Sequence, residues 1–129
     1  MNIPIGTLGR AETAVTAQNT ALAVGSGSLP VFATPMMAAL MEQAAAAALS
    51  SFLEPGQSSV GTHLNISHTS ATPVGLRVWA EATVTQVDAR TVTFSVAAFD
   101  PAGPIGSGTH QRVLIQEERF LAKAAQKNP

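Results

Sequence analysis

A chain of 129 residues, 46% of them hydrophobic, is the size of one domain and long enough to bury about two-thirds of its unfolded surface. It has no cysteine, which excludes disulfides, zinc thiolates and thiol catalysis. With a net charge of −1 and seven scattered basic residues, it shows none of the basic patch that nucleic-acid binding needs.

Charged residues make up only 12% of the chain, against about a quarter in ordinary domains. So low a share points to surface covered by a second copy, and a homodimer is expected. The opening "MNIPIGTLGR" lacks the charged start and apolar core of a secretory signal. The most apolar run, residues 36–49, is too short and Ala-rich to span a bilayer and is interrupted by Glu42. A cytoplasmic protein without a membrane partner is expected.

In chain order, "AETAVTA" (11–17) reads as a short first strand and "GSGSLP" (25–30) as a mobile loop inside a single domain covering 1–129. Thr34 followed by Pro35 marks a helix start, with Thr34 as the capping residue and Pro35 at the first helical position. The helix is apolar nearly all round: Met36, Met37, Leu40 and Met41 are followed by alanines at 44–48. Such a helix is a buried one, and "EPGQ" (54–57) ends it.

Beyond it the period changes to two. Val60, Thr62, Leu64 and Ile66 alternate with Gly61, His63, Asn65 and Ser67, so a strand runs to the turn-rich "HTSATPVG" (68–75). Further strands are expected over 76–87, 91–99 and 105–115, joined by "DAR" and "DPAGP", with a short terminal helix over 116–126. One long buried helix followed by antiparallel strands is an α+β architecture. The alanines let the sheet come close and curl around the helix, the arrangement known as the hot-dog fold.

Three polar residues stand out against this pattern. His68 continues the phase of Val60, Leu64 and Ile66, which turns it toward the helix at its strand's end; its ordinary pKa suits proton transfer near neutrality. Glu42 has Ala38, Ala39, Ala45 and Ala46 one turn away and no Lys or Arg to pair with. Its carboxylate must reach water, a ligand pocket or a buried partner, and His68 is a candidate partner. Thr34, eight residues earlier, lies about 12 Å along the helix from Glu42, so the two can bracket a substrate without touching. It sits at a helix N-terminus, whose free N–H groups suit a developing oxyanion. His63 has the opposite phase from His68, and the phase of His110 is open. No His, Asp and Glu spacing marks a metal site.

The segments "VFAT…LMEQA", "LEPGQSSVGT", "SHTSATPVGL" and "IGSGTHQRVLI" are similar, in order and spacing, to the fluoroacetyl-CoA thioesterase-like family. The resemblance runs from about residue 31 to the C-terminus, and its most specific element is T-x7-E-x25-H followed by TxATPxG. It implies a dimeric hot-dog enzyme that hydrolyses an acyl-CoA thioester with neither metal nor organic cofactor. The family's catalytic residues fall on Thr34, Glu42 and His68. Its thioester-facing glycine falls on Gly61, and the arginine of its GTHxR segment falls on Arg112, implied to contact CoA or the second subunit. The family's fluoroacetyl-specific enzyme has lid phenylalanines before the helix. Here "LAVGSGSLP" has no aromatic residue, so the resemblance extends to the hydrolytic centre and not to the lid. A non-catalytic acyl-CoA binder and an enoyl-CoA hydratase on the same fold remain the alternative readings.

Overall fold

The computed structural model describes residues 2–128. The elements are β1 (Leu8–Ala14), α1 (Ala21–Val24), α2 (Thr34–Leu49), a 3-10 turn (Ser50–Phe52), β2 (Gln57–His68), β3 (Arg77–Asp88), β4 (Thr91–Asp100), β5 (Gly103–Gln116) and α3 (Glu117–Ala125). The five strands form one antiparallel sheet in the order β1-β3-β4-β5-β2. It curls around α2 as the hot-dog reading requires. The first strand begins three residues before the expected 11–17, and α1 was not anticipated; four residues capped by Thr20, whose side chain accepts from the Ala23 N–H, leave too short a pattern to read.

Helix α2 buries Met37, Leu40, Met41, Ala44, Ala45, Ala48 and Leu49 against the sheet. The small residues are there for space. A Cβ at Gly9 on β1 would collide with the Ala44 carbonyl and the Ala48 backbone, so strand and helix meet backbone to backbone. Large side chains from the strands, among them Phe94, Val78, Val84 and Ile105, fill the rest of the core. Each contributes about 1.5–3 kcal/mol of burial free energy.

The expected cap at the start of α2 is corrected. The extended capping residue is Ala33, whose carbonyl receives the Met36 and Met37 N–H groups, and Thr34 is already helical. Pro35 therefore occupies the second helical position, where its missing N–H is also no loss. With no capping bond to make, the Thr34 hydroxyl is available to another partner.

The phase of β2 is corrected as well. Between Gly61 and His63 the register against β5 shifts, leaving Thr62 as a bulge. Gly61 pairs with Arg112 and Leu64 with His110, both buried, whereas Val60 pairs with Val113 on the opposite face. The helix-facing set is thus Gly61, Leu64, Ile66 and His68. A single inserted residue reverses one half of a period-two pattern, which is why plain alternation put Val60 on the wrong side.

The connection after β2 holds the approach to α2. Thr72 is fully buried, donating through its hydroxyl to Asp100 Oδ2 at 2.8 Å, and its carbonyl accepts the Phe32 N–H at 2.9 Å. Asp100 Oδ1 in turn receives the Ala102 N–H inside the β4–β5 turn. Much of the TSATP segment is therefore a clamp that fixes where residues 31–34 run.

Candidate active site

The clamp sets the first residue of α2 against the last of β2. Thr34 Oγ1 lies 2.8 Å from His68 Nδ1. The other ring nitrogen, Nε2, is buried and has no hydrogen-bond partner among the described residues. Burial lowers the His68 pKa from its ordinary value, with a backbone contact at Ser70 opposing, so the ring favours its neutral form. Thr34 and His68 line a cavity of about 300 Å³ together with Ala21, Ser26, Phe32 and residues 69–71.

Glu42 lies elsewhere. Its carboxylate sits over Gly61, where a Cβ would fall well inside contact distance of Oε2; only glycine leaves room for it. The expected partnership with His68 is not made within the chain. The partner is Arg112, whose Nη1 is 3.5 Å from Glu42 Oε2. The Glu42 side chain remains 42% exposed while that of Arg112 is 10% exposed. Arg112 is further held through Nε to Ser59 Oγ at 2.9 Å and through Nη2 to the Ser59 carbonyl at 3.1 Å. Its Nη1 is also 3.2 Å from His110 Nε2.

The sequence-derived residues thus fall into two groups on one face of the sheet. Thr34 and His68 form one; Glu42, Gly61 and Arg112 form the other, about two turns of helix away. Ser59 and His110 were not among the expected site residues. His110 shares its strand face with Arg112 at i, i+2, the signal that would have found it once Arg112 was placed. Among the described residues, no group of three His, Cys, Asp or Glu side chains is arranged to hold a metal, and no helix is long and apolar enough to cross a membrane.

Comparison with known proteins bears on this geometry. Residues 15–118 match the protein family described as fluoroacetyl-CoA-specific thioesterase. The chain is 46% identical over 99 residues to the fluoroacetyl-CoA thioesterase of Streptantibioticus cattleyicolor, covering 77% of this chain and 71% of that one. The chain belongs to the fluoroacetyl-CoA-specific thioesterase family. A solved structure of a fluoroacetyl-CoA thioesterase, 37% identical, superposes with a TM-score of 0.93 over 100% of both chains. A phenylalanine-to-alanine variant of a fluoroacetyl-CoA-specific thioesterase, in complex with fluoroacetate and CoA, is 36% identical with a TM-score of 0.86, covering 91% of this chain and 98% of that one. The chain is accordingly a thioester hydrolase by family.

In this member of the fluoroacetyl-CoA-specific thioesterase family, α1 and the loop to residue 30 lie beside the Thr34–His68 cavity and give it Ala21 and Ser26. Phe32 is buried, while Leu22, Val24 and Leu29 of the same segment are exposed. The wall on this side is built from small side chains.

The basic residues are less scattered than their sequence positions imply. Arg10 and Arg77 pair with Glu12, and Arg112 pairs with Glu42. The other four, Arg90, Arg119, Lys123 and Lys127, line a single groove of about 450 Å³ between β5 and α3, over Val113, Ile115 and Phe120.

Proposed function

We propose that the protein hydrolyses a short-chain acyl-CoA thioester to acid and CoA, using Thr34, Glu42 and His68, as a cytoplasmic homodimer of one-domain chains. The observation that carries this reading is the pair of polar groups on the helix face of the sheet: His68, bonded to Thr34 through Nδ1 and unpartnered at Nε2 among the described residues, and a solvent-reachable Glu42 carboxylate resting on Gly61. The cavity beside Thr34, about 300 Å³ and lined by Val31 and Phe32 as well as Ala21 and Ser26, is of a size for a short acyl group. The backbone donors on offer to the thioester oxygen are the Gly61 and Thr34 N–H groups, since Pro35 has none and those of Met36 and Met37 go to the Ala33 carbonyl. Glu42 supplies a carboxylate that takes a proton from water or attacks the acyl carbon; labelled solvent oxygen appearing in Glu42 after a single turnover marks the second route. On the first route His68, ordered by Thr34, accepts the proton that Glu42 takes from water and passes it to the departing thiolate. On the second, the thiolate receives its proton from the water that later splits the anhydride.

The two groups need not lie in one chain to act together. Strand β2 is an edge of the sheet, twelve residues long, and an edge of that length is normally covered. A twofold axis through Asn65 would pair two β2 strands antiparallel, setting Leu64 of one chain opposite the partner's Ile66. Both face the helix side, as the register demands. The same axis places His68 against the partner's Gly61–Thr62 bulge, and so beside the partner's Glu42. Each dimer would then hold two complete sites, each drawing the two groups from different chains.

A thiol-release assay over a panel of acyl-CoAs tests the reading. Glu42→Gln and His68→Ala should each lower turnover at least ~100-fold, the scale of a positioned acid or base. Near-normal rates in both variants reject the assignment. CoA esters that bind without releasing thiol would mark a non-catalytic binder, and loss of enoyl absorbance without free CoA a hydratase.

A further inference from the structure

We propose that His110 is a positioning residue for Arg112, and through Arg112 for the Glu42 carboxylate. His110 is 1% exposed, and its ring stacks on Phe94 with centroids 6.0 Å apart. Both ring nitrogens have partners, and the partners differ in kind. Nδ1 lies 2.8 Å from the carbonyl oxygen of His63, the residue that follows the β2 bulge; a carbonyl only accepts, so Nδ1 carries the proton. Nε2 lies 3.2 Å from Arg112 Nη1, and a guanidinium only donates. The two contacts together require the neutral ring protonated at Nδ1, with its lone pair on Nε2 aimed at the arginine.

The consequence falls on Arg112. Its head is held at Ser59 Oγ, the Ser59 carbonyl, His110 Nε2 and Glu42 Oε2. Three of those four are fixed parts of the sheet, so the arginine is aimed by β2 and β5 before it meets the carboxylate of α2. A protonated His110 would replace an acceptor with an N–H and a second positive charge beside the guanidinium. The groups facing the ring leave little to offset that. Arg112 stands on its own strand, the His63 carbonyl and imidazole on β2, Phe94 on β4, and the one carboxylate, Glu42, on α2, already engaged by Arg112. Burial, the largest influence, and the Arg112 charge lower the His110 pKa, while the His63 contact and Glu42 raise it; the net direction is down.

The inference rests on the proposed role of Glu42, and its test separates the two. Nitrogen-15 NMR of the wild-type imidazoles reads the geometry without turnover: the His110 ring should show the proton on Nδ1 at neutral pH. Kinetics read the consequence. His110→Phe keeps the volume and loses the acceptor, and should lower kcat about 10-fold with KM within about 2-fold. His110→Gln places an amide oxygen near the Nε2 position and should restore kcat to within about 3-fold of wild type. A proton found on Nε2 overturns the proposal, as does a Phe variant with wild-type kcat. Should the wild type release no thiol from any acyl-CoA, the functional reading fails and the positioning is judged by NMR alone: the Arg112 Nε–H signal must shift and broaden in His110→Phe and not in His110→Gln, and an unmoved signal overturns it.

Discussion

At the scale of single residues, the buried His110 and half-buried His68 imidazoles make folding sensitive to pH. Burial lowers the pKa of both His68 and His110 in the folded chain. The unfolded chain, titrating near the ordinary 6.5 or so, then binds more protons between that value and the folded ones. Stability is therefore fully present above about pH 6.5 and falls as the pH drops toward the folded values. Thermal unfolding between about pH 7.5 and 5.5 should show Tm decreasing with acidity, and His110→Gln, which removes one of the two groups, should make the slope shallower. A Tm that is flat or rises on acidification would contradict both burial effects. Glu42 announced itself by its apolar neighbours and the missing cation one helical turn away. Arg112, the cation it uses, sits seventy positions later, and nothing local joins them. Thr34 looked like a cap because a threonine before proline usually is one; that Ala33 takes the capping position depends on how the clamp at Thr72 and Asp100 delivers the chain.

Elements follow from patterns, and they fail where one residue breaks the pattern. The long helix, β3, β4 and β5 were legible because hydrophobic periodicity sustained over ten or more residues outweighs local noise. The Thr62 bulge was not legible, since an inserted residue leaves both halves of β2 looking regular. A second local irregularity carries a prediction. The β3–β4 hairpin turns through Ala89 and Arg90, and Ala89 holds φ at 53°, a left-handed conformation that costs a residue with a Cβ about 1 kcal/mol. Glycine bears no such penalty, although its looser unfolded chain takes part of the gain back. Ala89→Gly should raise Tm by a few degrees, measured by calorimetry, and should leave turnover untouched because the turn lies outside both site groups. A lowered Tm would mean that the side chain's contacts outweigh the strain.

For the whole molecule, the decisive question is which chains supply one active site. Within a single chain the Thr34–His68 pair and the Glu42–Gly61–Arg112 group are held about 12 Å apart along α2, rigidly, by buried alanines on one side and sheet hydrogen bonds on the other. A hinge that closed this gap would have to break the core, so the proposed Thr34, Glu42 and His68 centre requires the proposed homodimer to supply its missing half. The low charge suggests a covered surface without saying which; the choice of β2 for the proposed dimer rests on its being an edge, a property of strand order and not of composition. Mixing two inactive variants tests this directly. When Glu42→Gln and His68→Ala chains are unfolded and refolded together, about half the dimers should be mixed. In each mixed dimer one site pairs two altered groups, while the other joins an intact His68 to an intact partner's Glu42. Thiol release should then return to roughly a quarter of the wild-type rate per chain, although each variant alone is nearly dead. If the two groups act within one chain, every site in the mixture carries one lesion and no activity returns. Sedimentation of the same mixture confirms that dimers formed, so a negative result counts against shared sites rather than against refolding.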